Sequence, residues 1–249
     1  MKGKNVLWRW LSVVSFLLTI AVNGYASTGK INGTTTAEVS DSFDVLFVPA
    51  GYIFSIWGVI YLLLIAFLIY QFTTAQKDDP RFLAIAPYFV LSNLANGLWL
   101  ILFHYQVHAF TILPMLLLLI CLIQIYLKLQ EKRGKGKAYY FMDLPFSIYL
   151  GWISVATIAN MTQFLDFIGF SGWGIAPEIW LTIVLLVAVL LSWVMSRKFH
   201  DLAYVLVLIW AFIGIGVRFL ANGIVMISSF TAAGFVLLIF LFTKKAGNR

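Results

Sequence analysis

Long apolar runs separated by short polar stretches organise the whole chain. Eight such runs are read at about 6–23, 47–71, 83–104, 110–128, 139–162, 178–196, 202–219 and 223–243. Each approaches the ~18–25 residues that a helix needs to cross a ~30 Å hydrocarbon core, so each predicts a transmembrane helix. The second run is more than a lipid-soluble rod. Its Pro49, Phe54, Trp57 and Tyr61 fall at helical spacings, so one face carries rings. Gly51, Ser55 and Gly58 form a small-residue face on the same helix, which permits close helix approach. A helix that needed only to dissolve in lipid could be all Leu, Ile and Val.

Composition agrees with the pattern. Of 249 residues 62% are hydrophobic and only 11% charged, where a soluble domain carries about 25% charged residues. Mean hydropathy is +0.95. The expected fold is an all-α integral membrane protein, with the lipid bilayer as its main partner and no segment large enough for a separate soluble domain. The net charge of +7 does not point to nucleic acid, because the cations sit in short clusters between the runs. Lys2, Lys4 and Arg9 open the first; Lys77 and Arg81 lie between the second and third. Lys128, Lys132, Arg133, Lys135 and Lys137 follow the fourth, Arg197 and Lys198 the sixth, and Lys244, Lys245 and Arg249 the eighth. Only Lys30 and Arg218 fall in the alternate connections. The positive-inside bias then places both termini in the cytoplasm.

The first run also resembles a secretory signal cleaved after Ala26, although its apolar stretch is long for one and favours a retained helix. The connection 24–46 is the only long one on its side, rich in Gly, Thr, Ser and Asn, and reads as either a tether or a lid. Asn32-Gly33-Thr34 within it fits a glycosylation sequon. Cys121 alone cannot form an intramolecular disulfide and reads as a small buried hydrophobe.

Candidate chemistry is sparse. No nucleotide loop, paired metal-ligand motif or nucleophile elbow is present. His104 and His108 would share a face if one helix carried both, and otherwise read as interfacial. Asp143, Asp201 and Arg218 lie near span ends, within reach of the interface. The deep polar groups are amides: Asn93, Asn96, Gln124, Asn160, Gln163 and Asn222. Such amides bond between helices or orient a ligand. Asn96, Trp99 and Phe103 form one stripe by i+3 and i+4 steps. Three readings compete: a ligand-binding or sensory protein, a secondary transporter with Pro87 and Pro114 as helix breaks, and an enzyme using a Trp-lined pocket.

The motifs of runs two, three and five together resemble the TspO/MBR family, the tryptophan-rich sensory proteins related to the translocator (peripheral benzodiazepine receptor) protein. Pro49, Phe54, Trp57 and Tyr61 answer the second-helix pattern, with Tyr52 where a Trp is usual. Asn96, Trp99 and Phe103 answer the third-helix pattern. Tyr149, Trp152, Ala156 and Asn160 answer the fifth, with Ile148 in its proline position. The resemblance covers about residues 6–165. It implies a five-helix core (1–165) whose first loop caps a pocket, followed here by about three added helices (166–249). It also implies a bacterial plasma-membrane location, a homodimer, and binding of a hydrophobic small molecule. That ligand would be a porphyrin, haem or sterol-like molecule; no cofactor is required and no enzymatic role is expected. The implied ligand-binding set is Pro49, Phe54, Trp57, Tyr61, Asn96, Trp99, Phe103, Tyr149, Trp152, Ala156 and Asn160.

Overall fold

Helices α1 (Lys2–Ser27), α3 (Ile56–Tyr70), α4 (Pro80–His104), α5 (His108–Glu131) and α6 (Leu144–Phe167) run in alternating directions through a computed structural model. Helices α7 (Pro177–Phe199), α8 (Leu202–Arg218) and α9 (Gly223–Gly247) continue the alternation, and a short helix, α2 (Thr36–Asp41), lies in the connection after α1. The structure describes residues 2–73 and 79–247, with side chains for 5–73 and 79–243. Lys77, Arg249 and the side chains of Lys2, Lys4, Lys244 and Lys245 therefore lie outside the described residues. Seven of the described helical stretches are long and apolar enough to cross a membrane, and α8, also apolar, has 17 residues. This is an integral, multi-pass membrane protein. Its outward surface agrees, with Leu62, Ile69, Leu190 and Phe242 all exposed.

The alternation gives the bundle a basic end, where α1 begins and α9 finishes, and a loop end, where α2 sits. The first five long helices pack around α4 and α6: α4 lies against α1 and α5, and α6 against α5 and α3. Helix α8 then docks on α6, α9 on α8, and α7 on α9.

Polar bonds fix these contacts, as a medium with little hydrophobic force between helices requires. Thr19 donates to the Asn93 carbonyl at 3.0 Å, and Asn93 Nδ2 donates to Ser15 Oγ at 3.0 Å, joining α1 to α4. At the basic end Asp201 accepts from Tyr126 of α5 (2.7 Å) and from Ser147 of α6 (2.6 Å). The same carboxylate caps α8 by accepting from the Tyr204 amide at 3.1 Å. Asp143 faces the Gly134 amide and, at 3.9 Å, Arg81. Both carboxylates are buried, so they do not snorkel to the interface as their place near span ends suggests; each has enough donors to stay inside.

Three further expectations are corrected. Pro49 is not on a helix: residues 47–50 are irregular, Gly51–Ser55 forms a 3-10 turn, and α3 starts only at Ile56. The Ala50 amide, which a longer helix would have turned inward, instead donates to the Gly214 carbonyl of α8 at 3.1 Å. The small face of Gly51 and Gly58 receives no helix, since nothing stands within 4 Å of either position's Cβ direction. Pro87 and Pro114 break nothing, because α4 and α5 run through them. A proline there removes one amide donor, which a membrane helix tolerates when its neighbours pack around it.

Replacing Asp201 by Ala should destabilise the fold by about 2–4 kcal/mol, because it orphans the Tyr126 and Ser147 hydroxyls and uncaps α8. Thermal unfolding in detergent checks this. Asp201→Asn, which keeps an acceptor, should recover at least half of the loss.

Candidate functional site

At the loop end α3, α4 and α6 splay just enough to leave a small ring-lined gap beneath α2. Phe54 and Trp57 come from the 3-10 turn and the start of α3, Trp99 and Phe103 from α4, and Trp152, Ala156 and Asn160 from α6. Pro49 closes one side, and Thr36 and Ser40 of α2 close the top. The rings pack on one another as well as around the gap. Trp152 meets Phe54 edge-on at 5.9 Å and Trp57 at 6.2 Å, while Trp99 stacks on Phe103 at 5.0 Å.

The volume of the gap is about 40 Å³. A single water needs ~10–15 Å³ of such space, so the gap has room for a few waters and not for a macrocycle. Its walls nevertheless hold three buried polar atoms without a partner: the indole nitrogens of Trp99 and Trp152, and Asn160 Oδ1. Asn160 spends its Nδ2 on Thr111 at 3.2 Å, which fixes the amide and leaves the oxygen free. Two donors and one acceptor thus lack bonds around one cavity.

Below the gap the Asn96 amide and the Tyr149 hydroxyl are committed, while the buried Tyr61 hydroxyl has no partner. Asn23 Nδ2 donates to Asn96 Oδ1 at 3.2 Å, and Asn96 Nδ2 to the Tyr149 hydroxyl at 2.7 Å, a chain running from α1 through α4 to α6. Tyr61 stacks on Trp57 at 5.4 Å and forms the floor.

The covering segment is a folded lid. Thr35 and Glu38 form a reciprocal capping box, which is why six residues hold a helix here. Thr36 shares a 3.0 Å hydrogen bond with His104 Nε2, Asn32 donates to the His104 carbonyl at 2.9 Å, and Gln163 donates to Ser40 at 3.2 Å. Arg218, from the end of α8, pairs with Asp41 on α2. His104 is thus a buried anchor rather than an interfacial residue, and His108 starts a new helix after a turn, so the two do not share a face.

A family model described as TSPO-like protein matches residues 9–242. The chain belongs to the TSPO-like protein family. No curated protein and no solved structure matches it. The family match takes in the last three helices of this TSPO-like protein, beyond the 6–165 that its motifs cover.

Of the eleven motif residues, the fold brings Pro49, Phe54, Trp57, Trp99, Phe103, Trp152, Ala156 and Asn160 to one cavity. It sets Tyr61, Asn96 and Tyr149 beneath. Tyr52 points elsewhere, edge-on to Trp210 of α8 at 5.6 Å, while the Trp210 indole donates to the Ile53 carbonyl at 3.3 Å. Gln163, one of the deep amides, also lines the cavity; sequence reasoning missed Val155 and Ala159, which the same α6 stripe would have supplied by i+3 steps. It also missed Thr36 and Ser40, although Thr35 followed three residues later by Glu38 is a helix-start signature.

The backbone and side-chain bonds from Thr35 hold the Glu38 carboxyl below its ordinary pKa of 4.5. A depressed folded value means that the capping contribution is complete above the ordinary value and is lost as pH falls through the lowered one. Amide exchange at Glu38 and Val39 should therefore stay protected from neutral pH down to the ordinary carboxyl value and lose protection only as pH falls through the lowered one. Glu38→Gln should flatten that dependence.

Proposed function

We propose that this TSPO-like protein is a ligand-binding, sensory membrane protein whose Trp-walled pocket takes a flat hydrophobic molecule of the tetrapyrrole or sterol-like class. The observation that carries this reading is the set of unpaired atoms on Trp99, Trp152 and Asn160. Each buried polar group without a partner costs about 1–3 kcal/mol. A ligand that accepts from two indoles and donates to an amide oxygen would repay that cost, and its flat faces would lie against rings.

The gap of about 40 Å³ is the closed state of such a site, since pockets for molecules of this size measure ~300–1,000 Å³. Entry requires α2 to lift, breaking its bonds to His104, Gln163 and Arg218. A metal-free porphyrin suits the lining better than haem, because the lining residues include no His, Cys, Met or Tyr to hold an iron. In the same reading the basic end faces the cytoplasm of a bacterial plasma membrane. The protein pairs as a homodimer through the uncovered Gly51–Ser55–Gly58 face.

Titration of the purified protein with protoporphyrin IX should quench Trp fluorescence saturably. The double variant Trp99→Phe/Trp152→Phe keeps the rings and removes both N–H groups, and should bind about tenfold more weakly. Absence of saturable quenching, or unchanged affinity in the double variant, defeats the assignment. For the homodimer, Ser55→Cys should cross-link to a second copy under oxidising conditions, whereas an exposed cysteine at Leu190 should not.

A further inference from the structure

A second and larger cavity, of about 580 Å³, opens between the loop-end halves of α6 and α7. Sites of ~300–1,000 Å³ hold drug-sized molecules, and this one has no residue in common with the Trp pocket. The two cavities use opposite faces of α6: Trp152, Ala156 and Asn160 look one way, and Ile158, Met161 and Leu165 the other. The cleft exists because α7 packs on α9 and α8 rather than along α6. The connection between α6 and α7 props it open. Gly169, Gly172 and Gly174 turn there with positive φ, and the Trp180 indole, donating to the Gly172 carbonyl at 2.8 Å, pins the connection to α7.

The cleft is long, apolar and charged only at its mouth. It runs from Asp166 to Thr157 on α6 and from Pro177 to Val187 on α7. At 1.5 Å per residue that is ~15 Å, about the depth of one leaflet. Two exposed carboxylates, Asp44 and Asp166, stand among the rim residues. Neither forms an ion pair among the described residues. The two cations of this end are engaged elsewhere, Arg218 with Asp41 and Lys30 over the Tyr25 ring.

We infer that this cleft is a binding site for a cationic, single-chain amphiphile drawn from the loop-side leaflet. Its ammonium group sits by Asp44 and Asp166, and its chain lies between α6 and α7. Charge complementarity selects the head group, since an anionic amphiphile would bring its charge to two carboxylates. The one-leaflet depth selects a single chain in the bilayer's own direction.

The test uses the full chain in nanodiscs of phosphatidylcholine and a dodecylamine carrying a mid-chain diazirine. Photolabelling should fall on the peptides spanning 157–166 and 180–187. Unlabelled dodecylamine should compete at least tenfold better than dodecanol or dodecanoate. Asp44→Asn/Asp166→Asn should abolish that preference with thermal unfolding unchanged, and Met161→Trp, which fills the cleft, should remove the labelling. Equal competition by the three chains would make the cleft an ordinary lipid groove and overturn the inference. So would labelling elsewhere, or a preference for the amine that survives in the double Asn variant.

Discussion

The Asp201 carboxylate sets the position of the last three helices. It receives one hydroxyl from α5 and one from α6 while capping its own helix, so α8 has a single seat at the basic end. Polar bonds must supply much of this specificity, because in lipid an apolar helix face gains almost nothing by meeting another apolar face. From that seat α8 rises thirteen residues, ~20 Å, to Gly214. There the Ile53 side chain occupies the space that a Cβ would need. The bare glycine lets the Pro49–Ile53 segment lie directly on α8, and that segment forms one wall of the Trp pocket.

Helix α6 is then a partition. Its face toward α3 and α4 carries the indole and amide groups of one cavity, and its opposite face forms a side of the cleft against α7. Both openings lie at the loop end, and the segment before α3 contributes to each, with Asp44–Phe47 lining the cleft and Pro49 the Trp pocket. The differing polarity follows from what each wall can offer. Rings, hydroxyls and neutral amides surround the gap, whereas the two carboxylates of the cleft stand at its exposed rim.

Much of this was legible in the chain, and what was not has identifiable causes. Apolar runs locate all eight long helices, most ends to within about five residues, the start of α3 at Ile56 rather than 47 being the largest miss, because hydrocarbon imposes both length and composition. The ring-bearing motifs lead to one cavity because i+3 and i+4 spacing survives in the real helices. Reading failed where tertiary bonds override local pattern. Pro49 looked helical by spacing, yet Ala50 takes its hydrogen-bond partner from a helix more than 160 residues away. Asp143, Asp201 and His104 looked interfacial by position, and only the fold reveals the donors and acceptors that let them be buried. The cleft left no trace in the motifs, since it arises from a packing that α6 and α7 do not make.

The bond from the Ala50 amide to the Gly214 carbonyl bears on how this protein can be taken apart. Removing residues 166–249 would strip α8 from the Pro49–Ile53 segment, leaving the Ala50 N–H without its acceptor and Ile53 without its glycine seat. It would also unpair Asp41 from Arg218, so α2 would lose one of its anchors. The motif-bearing helices are therefore not a detachable unit. In this chain the later helices act as a scaffold that keeps the earlier ones in shape.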